Sequence, residues 1–325
     1  MFGVAHEPSL TRLGITLVGP TRADVSPAAE STMWKESTQM RVSVSMVTYN
    51  HERQIAQAIE SVLLQEHDDF DLELVIGEDC STDGTLSIVR DFAQRYPEII
   101  RVISGPENVG AQRNVARVLE NCTGDYLALL DGDDYWTSPH KLRTQVEFLE
   151  TNKDCALCFH NVQVVDEAGG VIEVPDMSSM ALRTRLEDLL IGNYISSCSV
   201  MYRWGLVSEL PDWWNDMQMA DFPLSVMHAQ FGSIGYIDEA MAAYRRHPGG
   251  VFSVQKPLRQ MRAFMEVLRA LDGLLDRRYH RVIKRSLRRL RLNIIATRVF
   301  EAVPALRPLL GRLKPFVRRI YKPAA

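Results

Sequence analysis

The sequence predicts an α/β fold, a mostly parallel sheet with flanking helices that continues into a basic C-terminal helical extension. Between Arg41 and about residue 150, short β-branched runs alternate with helical stripes four times. That rhythm belongs to a parallel sheet built by right-handed crossovers. Polar clusters fall where three of the strands end, and ligands of such sheets bind beyond the carboxyl ends of the strands. Residues 251–325 carry 19 Lys and Arg against 4 Asp and Glu, while the whole chain has a net charge of only -4.

Residues 1–39 mix Pro, Gly, Ser and Thr without periodicity and read as a loosely ordered extension. Arg41–Thr48 (RVSVSMVT) alternates and is β-branched, as a strand requires. Tyr49-Asn50-His51 breaks it, and Ile55, Ile59, Val62 and Leu63 mark one helical stripe. Strand Leu72–Ile76 leads into Glu78-Asp79-Cys80-Ser81-Thr82-Asp83-Gly84, followed by a helix carrying Leu86, Val89, Ala93 and Tyr96. Strand Ile100–Ile103 and a helix through Val115 and Leu119 come next, then strand Tyr126–Leu130, ending at Asp131-Gly132-Asp133-Asp134. Ser138-Pro139 opens a helix as N-cap and first-turn proline. Beyond it, Cys155–Asp166, Val171–Val174, Ser196–Tyr202 and Ile234–Ile237 read as strands, with a helix from about Asp216 to Gln230. From residue 255 the pattern is helical to Pro304. The expected organisation is an extension (1–39), an α/β domain (40–254) and a basic tail (255–325).

At 325 residues, with 46% hydrophobic and 24% charged residues, the chain can bury a substantial core and is not a disordered polymer. Five cysteines are too few and too odd for a disulfide scaffold, and read as the reduced thiols of a cytosolic protein. Cys155 and Cys158 lack a second ligand pair for zinc, and strand alternation sets them on opposite faces. No apolar run is long enough to cross a bilayer, and no secretory leader is recognisable at the N-terminus. The basic tail is expected to meet an anionic surface or the acidic body of the chain. Val282–Phe300 sets Ile283, Leu287, Leu290, Ile294 and Ile295 in one stripe flanked by arginines, a pattern that lies in an anionic membrane interface without spanning it. Few aromatics and no recognised motif argue against nucleic acid.

Asp131 and Asp133, two residues apart at a strand end, are a candidate pair of oxygen ligands for Mg²⁺ or Mn²⁺ with substrate phosphates. The alternative is a solvated Asp-Gly turn. Asp69-Phe70-Asp71 repeats the spacing but precedes a strand. Asn108-Val109-Gly110 opens a helix whose positive end, with Arg113, is suited to a diphosphate. Ala111-Gln112 stands where a Walker loop requires Lys and Ser or Thr, and no G-x-G-x-x-G occurs.

In this order, Thr48-Tyr49-Asn50, Glu78–Thr85, Asn108-Val109-Gly110, Leu129–Trp136, Ala220–Leu224 and Tyr244–His247 resemble the family 2 glycosyltransferases with the GT-A fold, over about Arg41 to Gly250. The run looks like bacterial enzymes that build surface polysaccharides. The resemblance implies a Rossmann-like GT-A domain whose Thr48 and Asn50 line a nucleotide pocket, with Asp79 on the base, usually uracil. Arg113 and Asp131 join the nucleotide-sugar contacts. Asp131 and Asp133 hold a divalent cation, His247 is a metal or diphosphate contact, and Asp221 is the general base. The implied partners are a nucleotide-sugar donor, a glycan or lipid-linked acceptor and an anionic membrane surface, for a cytoplasmic protein peripheral on the inner face of the membrane. The chemistry is coherent: a cation neutralises the leaving diphosphate and a carboxylate takes the acceptor proton during inverting displacement. The competing expectations are a nucleotidyltransferase making nucleotide sugars, which would need a Gly-rich basic loop after the first strand, and a silent relative serving as a binding module.

Overall fold

The computed structural model describes residues 40–247, 249–250 and 256–302. The expected N-terminal extension and residues 303–325 of the tail lie outside the described residues. Four strands, β1 (Arg41–Thr48), β2 (Asp71–Glu78), β3 (Ile100–Ser104) and β4 (Tyr126–Leu129), run parallel in the order β3-β2-β1-β4. The sheet continues through β9 (Met201–Arg203), β6 (Cys155–Val165) and β10 (Ser233–Arg245) to β5 (Tyr135–Trp136). β9 is antiparallel to both neighbours, β10 is parallel to β6, and β5 is antiparallel to β10. Short β7 (Val171–Glu173) and β8 (Arg183–Thr184) pair beside β6 and β10.

Each face of the sheet carries an apolar layer. Val42, Val44 and Met46 of β1 alternate into one layer, with Ile55, Ile59 and Val62 of α1 (Ile55–Leu63), Val89 of α2 (Thr85–Arg95) and Leu142 and Leu149 of α4 (Lys141–Thr151). The opposite layer takes Val118 of α3 (Ala111–Leu119), Leu189 of α5 (Leu186–Ile191), Leu224 of α6 (Asp221–His228), Leu268 of α7 (Pro257–Leu274) and Ile283 of α8 (His280–Ala302). Helix α3 lies so close to β2 that a Cβ on Gly77 would collide with Asn114 and Val118. Asn114 uses that approach to donate to the Gly77 carbonyl at 2.8 Å.

Several expected elements are reshaped. The strand expected over Ser196–Tyr202 is reduced to β9, and Ser197–Ser199 forms a 3₁₀ turn. The helix expected from about Asp216 to Gln230 is shortened to α6, behind a 3₁₀ segment at Asp212–Asp216, so Asp221 becomes the first residue of a helix. Regular helix α4 starts only at Lys141, while Ser138 Oγ accepts the His140 N–H at 3.3 Å in the turn ahead of it. A register shift between Ser233 and Ile234 interrupts alternation in β6, so Cys155 and Cys158 share one core layer rather than opposite faces. All five thiols are free.

The largest correction concerns the basic tail. Its described part, α7 and α8, belongs to the same compact unit as the sheet. Ile283 and Leu290 are buried in the core, with Leu287 and Ile294 packed against it. The apolar stripe assigned to a membrane therefore faces the protein, and of its members only Ile295 is exposed. The helix instead exposes Leu292, Ile295 and Val299. Among the described residues, no helix is long and apolar enough to cross a membrane.

Lys141 is fully buried, with Nζ 3.9 Å from the Trp136 ring centroid and no hydrogen-bond partner among the described residues. Burial pushes its amine down from 10.5 to about 7, a shift worth about 5 kcal/mol. The aromatic face offsets about 2 kcal/mol of that when desolvated, so burial wins. Between those pH values the unfolded chain binds the proton and the folded protein does not, so stability rises with pH across that window. Lys141→Met is expected to raise Tm at pH 7 and to lose its advantage near pH 10. Parallel Tm-against-pH slopes for the two proteins would refute this account.

Candidate active site

A cavity of about 600 Å³ opens at the carboxyl ends of the parallel strands. Thr48, Asp79, Asp131, Asp133 and Asp221 all line it, although they come from four separate stretches of chain. The crossover topology delivers each strand end to the same edge of the sheet.

Thr48, the last residue of β1, is buried and accepts the Asp79 N–H through its carbonyl at 3.0 Å. The Asp79 carboxylate accepts the backbone N–H groups of Val109 and Gly110, each at 2.9 Å. Gly110 is in the left-handed region, φ 89°, where glycine carries no Cβ penalty. Asp79 thereby pins the loop before α3, and Arg117 approaches the Oδ1 that accepts from Val109, at 3.5 Å. Arg113 is exposed on α3 and is not among the residues lining the cavity. Four residues advance a helix by little more than a turn, and Arg117 is the arginine that reaches Asp79. Asn50, expected in the nucleotide pocket, is exposed at φ 56°. Its side-chain oxygen accepts the Thr82 N–H at 2.8 Å, so it joins the β1 and β2 loops and does not line the cavity.

Asp131, Asp133 and Asp134 occupy three different environments. Gly132 is required between them, because a Cβ there would lie 2.7 Å from Thr48 Oγ1. Asp131 accepts the Ser197 hydroxyl at 3.2 Å. Burial, reinforced by the charges of Asp133 and Asp221, pushes its carboxyl up to about 7. Asp133 Oδ2 meets His247 Nε2 at 2.9 Å and His51 Nε2 at 3.9 Å. Burial would raise Asp133 as well, but the His247 hydrogen bond and the two imidazoles outweigh it and hold this carboxyl low. Asp134 accepts the Arg245 N–H at 2.7 Å, and burial drives its carboxyl far up. Burial also raises Asp221, against hydrogen bonds at the start of α6 and from Asn193.

Two ligand sets share Asp133: His51, Asp133 and His247, or Asp131, Asp133 and Asp134, each within 4.8 Å. The first fits a cation better. Thr48 Oγ1 lies 3.2 Å from His51 Nδ1. A proton on that nitrogen, donated to the hydroxyl, leaves the Nε2 lone pair facing Asp133, the usual outer-shell support of a ligating histidine. Burial keeps His51 below its ordinary pKa, favouring the neutral ring. One oxygen of Asp134, by contrast, is committed to Arg245. His51 was missed in the sequence, although its place three residues after Thr48 at the end of β1 was the available signal.

The sequence profile of glycosyl transferase family 2 matches residues 43–210. The chain belongs to this family. An uncharacterized protein of Mycobacterium tuberculosis, Rv1520, is 37% identical over 213 residues, covering 65% of this chain and 60% of the relative. The chain thus spans about 60% of the length of that relative. TuaG of Bacillus subtilis, named provisionally as a teichuronic acid biosynthesis glycosyltransferase, is 33% identical over 153 residues, 46% of this chain and 59% of TuaG. Among solved structures, TarS of S. aureus in complex with UDP-GlcNAc aligns with a TM-score of 0.55 at 21% identity, over 70% of this chain and 66% of TarS. The mannosyltransferase PcManGT of Pyrobaculum calidifontis, in complex with GDP-Man and Mn²⁺, aligns at 0.59 and 17%, over 87% of this chain and 84% of its own. The fold of this family 2 member is the GT-A arrangement.

Proposed function

We propose that the protein is an inverting glycosyltransferase that moves a sugar from a nucleotide-diphospho sugar, a UDP-sugar, to a glycan or lipid-linked acceptor in surface polysaccharide synthesis. The carrying observation is that Asp221, at the first turn of α6, faces the same cavity as Asp131 and Asp133. TuaG's name supports the pathway class, and the UDP-GlcNAc complex of TarS supports the donor class.

Thr48, Asp79 and the loop that Asp79 pins form the nucleotide end of the cavity. Asp133, His247 and His51 would hold a divalent cation, Mg²⁺ or Mn²⁺, and two imidazoles in the set favour Mn²⁺ over the strictly oxygen-loving Mg²⁺. When bound, the cation supplies neutralisation of the leaving diphosphate. Asp221 accepts the acceptor hydroxyl proton as that oxygen attacks the anomeric carbon. The bond from that carbon to the diphosphate breaks, and the nucleoside diphosphate departs from the opposite side. Burial raises the basicity of Asp221, which suits a general base working near neutral pH. The exposed Leu292, Ile295 and Val299 of α8, between Arg288, Arg291 and Arg298, attach the enzyme to the inner, anionic face of a membrane.

Asp133→Ala is expected to abolish transfer and to remove calorimetric Mn²⁺ binding in the presence of UDP. Retained Mn²⁺ binding would move the cation to other residues. Asp221→Asn keeps the shape without the base, and kcat should fall by about 10²–10⁴ with UDP affinity unchanged. A parallel loss of UDP binding would instead put Asp221 in the nucleotide pocket. The protein is expected to co-sediment with anionic vesicles at low salt, and Leu292→Asp with Ile295→Asp should abolish it. Equal sedimentation of variant and parent would overturn the membrane assignment.

A further inference from the structure

The stretch between α5 and β9 runs along the cavity, with Ile191–Asn193 and Ile195–Ser197 lining it. Two of its residues hold carboxylates from different elements. Ser197 donates to Asp131, two residues after β4, at 3.2 Å. Asn193 hydrogen-bonds Asp221, the first residue of α6. Asn193 and Ser197 are four positions apart, so at most about 14 Å of chain links them. Asp131 and Asp221 are close enough to repel, and this short tether holds both.

The loop is braced on several sides. Ser286 of α8 is buried and donates to the Leu190 carbonyl at 2.8 Å. That carbonyl lies in the last turn of α5, where carbonyls lack a partner within the helix. The Tyr194 hydroxyl and Thr184 Oγ1 are hydrogen-bonded at 2.6 Å, and the Tyr194 ring lies 5.4 Å from that of Phe159. The Ser199 hydroxyl donates to the Ser196 carbonyl at 2.7 Å. Asn193 thus presents its amide from a fixed backbone.

One orientation of that amide satisfies both of its neighbours. Oδ1 accepts the Ile195 N–H at 3.1 Å, which leaves the Nδ2 hydrogens for the Asp221 carboxylate. An ionised carboxylate offers about four acceptor positions on two oxygens. A single amide donor therefore fixes its direction and leaves room for an incoming hydroxyl. The amide does not titrate, so it does not compete for the proton that the base must take.

We propose that Asn193 is a positioning residue for the general base: its Nδ2 aims the Asp221 carboxylate at the acceptor hydroxyl, while Ser197, on the same loop, fixes Asp131. This rests on the glycosyltransferase assignment above and deepens it, because the α5–β9 loop then sets the spacing between the base and the carboxylates across the cavity.

Asn193→Asp separates this role from that of a simple turn residue. The aspartate keeps an oxygen for the Ile195 N–H, but it sets a second carboxylate against Asp221 in place of a donor. Asn193→Ala removes the donor without adding charge, so the test stands even if Asn193→Asp fails to fold. The full chain is assayed with Mn²⁺ for UDP release from UDP-GlcNAc and UDP-glucose, on the alkaline plateau of the pH profile, and for UDP affinity by calorimetry. Both variants are expected to lower kcat by about 10–10² with UDP affinity unchanged. Carboxyl NMR, with the Asp221 signal assigned from Asp221→Asn, should show Asp221 titrating at higher pH in both variants, and highest in Asn193→Asp. A more basic carboxylate alone would speed proton transfer, so the fall in kcat reports lost position. Wild-type kcat in Asn193→Asp, an unmoved Asp221 titration in Asn193→Ala, or a parallel loss of UDP affinity would overturn the proposal. A wild type that releases UDP from neither donor would overturn the donor assignment instead, while the carboxyl titrations still read Asn193.

Discussion

Carboxylates crowded into one partly dry cavity repel one another, and the surrounding structure is arranged to hold them there. Each has a different counterweight. Asp79 has two backbone N–H groups and Arg117, Asp133 has two imidazoles, and Asp221 has the positive end of α6. Among the described residues Asp131 has a single serine hydroxyl, and burial pushes its carboxyl to about 7. Like charges at short range cannot all be stable without an added cation or a proton. The cluster is therefore poised to accept positive charge, which the proposed metal-bound diphosphate would bring.

That poise depends on rigidity around it. Gly77 lets α3 press onto β2, and Asn114 locks the contact, so the loop pinned by Asp79 has a fixed base. Gly132 lets Asp131 and Asp133 pass against Thr48. Arg245 ties the Asp133 carbonyl to the turn after β6 and to α1. The long β10 brings both Arg245 and, two residues later, His247 to the cluster. The edge of the sheet contributes as much to the site as its parallel centre.

Much of this was legible in the chain. β1 has the boundaries its alternation indicates, and the four-fold strand–helix rhythm appears as β1 to β4 with their helices. Thr48, Asp79, Asp131, Asp133 and Asp221 do meet in one cavity. Misreadings arise where tertiary contacts override local pattern. Ser196–Tyr202 has strand composition, but Ser197–Ser199 turns and offers Ser197 to Asp131. The stripe of α8 has the composition of a membrane surface, but composition does not say which apolar partner it meets, and here that partner is the core.

By itself the sequence determined the α/β class, the parallel direction of the first four strands, and the residue types that gather at their ends. Those follow from local periodicity and a topological rule, both written in short stretches of chain. Only the tertiary structure decided that His51 joins Asp133 and His247, that Arg117 rather than Arg113 reaches Asp79, and that α7 and α8 wall the cavity. These are contacts between segments up to some two hundred residues apart or choices between neighbouring positions on a helix face. Their outcome rests on packing angles and burial, for which no local pattern exists.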